Sequence, residues 1–356
     1  MKILIDIGHP AHVHYFKNVI SQLQNRGHSV FVVARKKEVS FRLLTAYNIS
    51  FTSRGKGKNS LLGKFFYLFK GTYVVYKQAK MNKIDLFVSF ASPYNALASI
   101  LYKKPVITLD DTEHNVFNHK IYTKLSSSIL TPKYFKKEFG EKHIRFSATM
   151  ESAYLHSEYF ISENLTFSKP QTKDKNVLLR FVSWQASHDV NQKGFTNSDI
   201  KLLIKELSQV VNVHISSEKN LPQEFSKYAI KIAPEKIHHY LKTVDLFIGE
   251  SGTMATEASY LGTHAIVLNS ASNEFGVFDW FSNFETFYIA KDFNDLLNKA
   301  KELLNTPDLK FIAESALNEI NQAEISLTDF LIWFIENYPQ SATIMKENPD
   351  YQYKFR

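Results

Sequence analysis

The chain has 356 residues, 44% of them hydrophobic, with 43 Lys and Arg against 35 Asp and Glu, a net charge of +8, and no Cys. This excludes a disordered chain, a disulfide framework, a thiolate metal site and a Cys nucleophile, and the length suits two ordinary domains. No apolar run approaches the ~18 residues of a membrane-spanning helix; Met1-Lys2 leads straight into an apolar run rather than a signal peptide, so a cytoplasmic protein is expected.

In chain order, Ile3–Ile7 reads as a strand. A helix follows over Ala11–Arg26, with Val13, Phe16, Ile20 and Leu23 recurring every three or four residues and Gly27 as its stop. Further strands are expected at Val30–Ala34, Leu86–Phe90, Val106–Leu109 and Ile129–Thr131, separated by helix-length segments. A polar stretch, 168–175, precedes a second series at Val177–Val182, Val211–Ile215, Ala229–Ile232, Asp245–Gly249 and Ala265–Leu268. The tail carries a helix over Leu327–Asn337, ended by Pro339. Strands alternating with helices predict parallel sheets with right-handed crossovers. The reading is α/β: residues 1–168 and 169–330 as two Rossmann-type doubly wound domains facing a cleft, with a tail, 331–356, that crosses back to the first.

The charge is concentrated. Residues 54–83 hold Arg54, Lys56, Lys58, Lys64, Lys70, Lys77, Lys80 and Lys83 and no Asp or Glu, which accounts for the whole net charge. They interleave with Leu62, Phe65, Phe66, Phe69, Tyr73 and Tyr76, a stripe at helical spacing. Such a helix either lies on an anionic membrane surface or packs its stripe on the protein's own core with the lysines solvated. One basic helix is not the spread basic face of a nucleic-acid binder, so no nucleic-acid partner is expected.

Doubly wound sheets bind ligands at the carboxyl ends of their strands. After the first strand comes Gly8-His9-Pro10-Ala11-His12-Val13-His14. The His spacing does not give the i, i+4 pair of a helical zinc site, so no metal is expected. A neutral imidazole suits a general base, and a helix N-terminus keeps it neutral. His12 is the candidate base, with Gly8, His9 and His14 in the acceptor site; the alternative is that one or two of the three histidines, His9 and His14 before His12, merely cap the helix or pack. After Asp245–Gly249 comes Glu250-Ser251-Gly252-Thr253-Met254-Ala255-Thr256-Glu257. A Ser-Gly-Thr turn opening a helix offers backbone N–H groups to an anion. Gly252 allows close approach, Ser251 and Thr253 add hydroxyls, and Glu257 suits the two hydroxyls of a ribose. That combination describes a nucleotide-sugar diphosphate; the alternative is an ordinary capped helix. Ser183, Trp184 and His188, after Val177–Val182, are candidates to cover the phosphates, Trp184 equally to plug the core. Asp110-Asp111-Thr112-Glu113, after Val106–Leu109, supplies carboxylates that shift one another, with Asp110 and Glu113 as acid–base candidates and a solvated loop as the alternative.

The run Ile7-Gly8-His9-Pro10-Ala11-His12, with Arg26-Gly27-His28 fifteen residues beyond His12, resembles the N-terminal signature of GT-B glycosyltransferases. In several such families the matching His deprotonates the acceptor. The Ser251–Ala258 stretch resembles the donor motif shared by these enzymes and by hydrolysing UDP-N-acetylglucosamine 2-epimerases. Together with Arg180-Phe181-Val182-Ser183-Trp184-Gln185-Ala186-Ser187-His188-Asp189, these runs resemble domain-of-unknown-function family 354. The resemblance implies a GT-B-like fold and a metal-independent glycosyltransferase that needs no cofactor, its nucleotide-sugar being substrate. The chain has no Asp-x-Asp triplet, in keeping with that. A sugar or lipid-linked acceptor, cell-envelope polysaccharide or glycolipid assembly, and a peripheral place on the inner face of the plasma membrane complete the expectation. The alternatives are a nucleotide-sugar 2-epimerase and a non-catalytic nucleotide-sugar-binding protein.

Overall fold

The computed structural model describes residues 1–58, 60–163, 165, 172–182, 195–217, 221–269 and 274–356. The chain divides into two units, Met1–Tyr159 with Ala323–Arg356, and Phe160–Gln322. The junction thus lies nine residues before the expected position, and 323–330 goes with the first unit.

The first unit alternates β1 (Lys2–Ile7), α1 (Pro10–Asn25), β2 (Ser29–Ala34), α2 (Glu38–Ala46), β3 (Phe51–Ser53), α3 (Leu61–Asn82), β4 (Leu86–Phe90), α4 (Pro93–Tyr102), β5 (Val106–Leu109), α5 (Val116–Leu125), β6 (Ser128–Pro132) and β7 (His143–Phe146). Among the described residues these strands form one parallel sheet in the order β3-β2-β1-β4-β5-β6-β7. β4, β5 and β6 are buried throughout, which is why they read as unbroken apolar runs rather than alternating ones. α1 ends as expected: Gly27 has φ of +84°, a left-handed conformation that a Cβ disfavours, and its N–H closes the last turn on Gln24. β3 and β7 escaped the sequence reading because each is short and sits at a sheet edge.

The order reverses between β1 and β4. From β1 the chain runs outward one way through β2 and β3, then crosses to β4 and runs the other way. The loops after β1 and β4 therefore diverge and leave a crevice at their carboxyl ends.

After α6 (Ser152–Leu155) the second unit alternates β8 (Asn176–Phe181), α7 (Asn197–Leu207), β9 (Asn212–Ser217), α8 (Ile237–Thr243), β10 (Leu246–Gly249), α9 (Gly252–Tyr260), β11 (His264–Val267), α10 (Gly276–Phe281), β12 (Phe287–Ile289), α11 (Phe293–Asn305) and α12 (Leu309–Ala323). Its parallel sheet has the order β12-β11-β10-β8-β9, which reverses between β8 and β10. Val177, Leu179, Ile215, Leu246, Ile248 and Ile266 fill the core with Leu203 and Leu207 of α7. Each such side chain, fully buried, contributes about 1.5–3 kcal/mol. The strand expected at Ala229–Ile232 does not form. Only Ala229 bridges, to Ile215, after a 3-10 turn over Gln223–Tyr228, because the segment meets the sheet only at its β9 edge.

The tail belongs to the first unit. α13 (Leu327–Glu336) packs on α1, and α14 (Gln340–Glu347) follows. Glu336 accepts from Arg26 at 3.1 Å and meets His28 at 3.0 Å. The Arg26-Gly27-His28 turn therefore fastens the tail. Gln352 closes the connection, accepting the Ser147 N–H at 2.6 Å. Among the described residues no helix is long and apolar enough to cross a membrane.

Candidate functional site

The crevice of the first unit is built on a buried ion pair. Asp6 interrupts the apolar β1 and is fully buried; Arg54, just beyond β3, is buried against it. Arg54 Nε donates to Asp6 Oδ1 at 2.8 Å, and Nη1 donates to Tyr67 Oη at 3.0 Å. Tyr67 in turn donates to the Gly55 carbonyl, and the guanidinium lies 4.0 Å from the Tyr94 ring centre. The second Asp6 oxygen accepts the Ser92 hydroxyl from the loop after β4. Ser92 also caps α4, accepting the Asn95 N–H. Before it stands Ala91, whose φ of +43° is strained for a residue with a Cβ. One carboxylate thus ties together the loops after β1, β3 and β4.

His12 stands over this network, on the first turn of α1. Its Nδ1 accepts the Gly8 N–H at 3.2 Å, and its ring packs 4.7 Å from Phe90. Burial, then the neighbouring His9, Lys37 and Arg54, hold its pKa well below the ordinary histidine value. The imidazole is neutral at pH 7, and the Gly8 bond occupies the lone pair of Nδ1 and leaves the proton on Nε2. Gly8 contributes its N–H rather than open space.

The other two histidines take the alternative roles. His9 is the N-cap of α1 and accepts the Ala11 N–H. His14 is buried, stacked at 5.4 Å on Tyr154 and edge-on to Tyr47. Its described contacts are with Tyr154 and Tyr47, the packing that the sequence offered as the alternative to a ligand contact.

The carboxylate loop also rearranges the expected roles. Asp110 is fully buried and its oxygens are taken: by the Tyr122 hydroxyl, by His119 at 2.9 Å and by the Thr112 N–H at 2.9 Å. It anchors α5 to β5. Glu113 is buried and accepts the Lys136 N–H. The perturbed group is Asp111. Burial, then Asp110, Glu151 and Glu113, raise its pKa well above the carboxylate range, against a hydrogen bond from Thr112.

In the second unit the reversal falls between the loops after β8 and β10. Ser251 is the N-cap of α9, its hydroxyl accepting the Met254 N–H. The small turn has a packing reason as well as a chemical one. A Cβ on Gly252 would lie 2.7 Å from the Phe278 ring, and one on Gly249 would lie 2.8 Å from the Arg180 carbonyl oxygen. Thr253 is exposed beside this N-terminus. Glu257, one turn further, is buried and meets His238 Nε2 of α8 at 3.0 Å. The contact with His238 fixes the direction of this buried carboxyl group.

Glu250 was not singled out in the sequence, and the structure gives it a definite task. It is buried, and its oxygens accept the Val182 N–H at 2.8 Å and the Phe195 N–H at 2.6 Å. It therefore ties Val182, just after β8, to Phe195, just before α7. Ser183, Trp184 and His188 fall between them in the sequence, outside the described residues. Asp6, Arg54, His238 and Glu250 were all missed as site residues. An Asp inside an otherwise apolar strand is the one signal that marks such a network beforehand. Among the described residues no group of three or more His, Asp or Glu is placed to hold a metal ion.

Known structures share this architecture. A Staphylococcus aureus MnaA–UDP co-structure matches with a TM-score of 0.71 at 13% identity, over 96% of this chain and 98% of that one. The UDP-GlcNAc 2-epimerase of Neisseria meningitidis, bound to UDP-GlcNAc, matches with a TM-score of 0.65 at 15% identity, over 95% and 100%. The spinosyn rhamnosyltransferase SpnG, complexed with thymidine diphosphate, matches with a TM-score of 0.60 at 13% identity, over 95% and 100%. At such identities the likeness establishes the fold, that of GT-B glycosyltransferases and UDP-GlcNAc 2-epimerases. Among curated sequences, the uncharacterized protein MJ0665 of Methanocaldococcus jannaschii is 24% identical over 277 residues, 74% of this chain and 80% of that protein. The model of the family described as protein of unknown function, DUF354, matches residues 1–322, and the chain belongs to that family.

Proposed function

We propose that this protein is a metal-independent GT-B glycosyltransferase, moving a sugar from a nucleotide-sugar to a sugar or lipid-linked acceptor in cell-envelope polysaccharide or glycolipid assembly. The observation that carries the reading is in the second unit. The N-terminus of α9 opens at the sheet's reversal point, and its second turn holds a buried carboxylate, Glu257, oriented by His238. Backbone N–H groups there suit a diphosphate, and Glu257 suits ribose hydroxyls. The nucleotide-bound neighbours support a donor of this class.

In this reading the first unit takes the acceptor. His12 meets it as a neutral ring with its proton on Nε2. To act as a base, it exchanges the Gly8 amide for the acceptor hydroxyl at Nδ1. Gly8 N–H is then available to the acceptor oxygen.

One observation favours a second reading, a nucleotide-sugar 2-epimerase. Burial and three neighbouring carboxyl groups push the Asp111 carboxyl well above the carboxylate range, the direction an acid–base group for elimination requires.

The deciding experiment is a thermal-shift screen against nucleotides and nucleotide-sugars on the wild type and Glu257→Ala. A ligand at a hundredfold its Kd stabilises by about 2.7 kcal/mol. The transferase and epimerase readings both expect a shift with one nucleotide class and its loss in the variant. No shift with any donor sinks both. The donor that binds is then incubated alone in D2O: deuterium entering the sugar selects the epimerase, an unchanged sugar the transferase.

A further inference from the structure

The outer face of α3 serves neither site. A helix on a sheet normally buries one apolar stripe and turns a polar one to water. α3 buries Tyr67, Gly71, Val75 and Ala79, spaced four apart, and Gly71 lets the Tyr94 ring of α4 approach to where a Cβ would lie 2.6 Å away. The expected stripe is not on that face. Leu62, Phe65, Phe66, Phe69 and Tyr73 stand on the opposite side, 74, 56, 68, 60 and 64% exposed. Phe65 and Phe69 meet edge to face, 4.8 Å between ring centres, so the side chains form a cluster rather than scattered apolar residues.

Charge names the occupant. Lys64, Lys70, Lys77 and Lys80 of α3 are exposed, and no acidic residue lies anywhere in 54–83. At the C-terminal end of the stripe, a groove of about 440 Å³ is lined by Tyr73, Tyr76, Lys77, Lys80 and Met81, the aromatic and basic mixture that suits a headgroup layer. A second copy of the chain would bring like charges together on this face. A nucleic acid would engage the lysines and leave the phenylalanines in water. An anionic bilayer satisfies both, its acyl boundary taking the apolar side chains and its phosphates the lysines.

We infer that α3 lies flat on an anionic lipid surface, with Leu62, Phe65, Phe66, Phe69 and Tyr73 inserted at the headgroup–acyl boundary. The docked helix is fixed to the crevice of the same unit, because Tyr67 on its buried face holds Arg54, and Arg54 holds Asp6. This docking stands independently of the sugar-transfer reading: the vesicle measurement below involves no nucleotide, and the thermal-shift screen involves no lipid.

The test is co-sedimentation of the full chain with phosphatidylcholine vesicles, with and without phosphatidylglycerol. Binding is expected to the anionic vesicles, about tenfold weaker to the neutral ones, and reduced in about 0.5 M salt. The double variants Phe66→Ser with Phe69→Ser and Lys70→Glu with Lys77→Glu each lower it about tenfold, with circular dichroism and the thermal transition unchanged because the replaced side chains are exposed. In Phe66→Trp, indole emission shifts to the blue on adding anionic vesicles. Absence of binding, equal binding to both vesicle types, or binding unchanged in both double variants overturns the inference. So does a dimer that the Phe66→Ser, Phe69→Ser change dissociates while vesicles bind nothing, which would assign the face to a second copy.

Discussion

The two units share a plan and furnish it differently. Each has a parallel sheet that reverses direction once, and each opens a helix at the reversal: α1 after β1, α9 after β10. In the first unit the crevice floor is a buried ion pair, Asp6 with Arg54, and the group above it is a neutral histidine. In the second the helix start is stripped to Ser251 and Gly252, and acidic side chains stand beside it: Glu250 on Val182 and Phe195, Glu257 on His238. A charge fixed in the floor lets polar side chains be positioned above it. A bare helix start instead leaves backbone N–H groups as the recognising surface. In the proposed reading the same fold thus provides a side-chain-built site and a backbone-built site.

That contrast can be broken from the first unit most forcefully. Arg54→Ala leaves Asp6 charged and buried without its partner, and a loss of about 3–5 kcal/mol in urea unfolding is expected. Replacing both, Asp6→Leu with Arg54→Met, is expected to cost less than Arg54→Ala alone. An equal or greater loss would mean that the pair is not the floor of the crevice.

The counterpart in the second unit is Glu250→Ala, expected to lower stability by roughly 2–3 kcal/mol, since two amides lose a charged acceptor. Hydrogen exchange at Val182 and Phe195 should quicken well before exchange at the centre of β8. Uniform change across the sheet would show Glu250 supporting the whole unit rather than the loop ends.

A pH titration sharpens the picture of His12. Its folded-state pKa lies below that of the unfolded chain, so between the two values the unfolded state carries a proton that the folded state does not. Stability therefore falls as pH drops below about 6.5, by at most about 1.4 kcal/mol per pH unit, until the folded pKa is reached. His12→Gln should remove that component of the slope; an unaltered slope would place the titrating group elsewhere. The smallest effect is expected from Ser251→Ala, about 1 kcal/mol from loss of the N-cap, measured by thermal unfolding. If nucleotide binding is tested alongside, its retention in this variant is what a backbone-built site requires.

The loops that matter were legible because strand ends are local events. Runs such as Ile3–Ile7 and Asp245–Gly249, followed by Gly-rich or Pro-containing turns, mark where a parallel strand stops and a crossover begins. Assignments within those loops were less secure. Three histidines in six residues looked alike, yet His9 caps the helix from outside it, while His12 accepts the Gly8 N–H and His14, two positions on, stacks on Tyr154, because a helix rotates successive residues about 100° apart. Asp110 and Asp111 differ by one position and separate into an anchor and a perturbed acid for a similar reason: only Asp110 meets His119 and Tyr122 of α5.

By itself the sequence determined the two parallel sheets, the two helix-opening turns and the concentration of charge in 54–83, since periodicity, turn chemistry and composition act over a few neighbouring residues. Tertiary structure alone decided the rest. Asp6 and Arg54 are 48 positions apart, His238 and Glu257 are 19, and Glu250 reaches 68 positions back to Val182. It also decided which side of α3 meets the core. A helical period reveals that an apolar stripe exists, but α3 carries two, and only the packing of Tyr67, Gly71 and Val75 against the rest of its unit turned the phenylalanines outward.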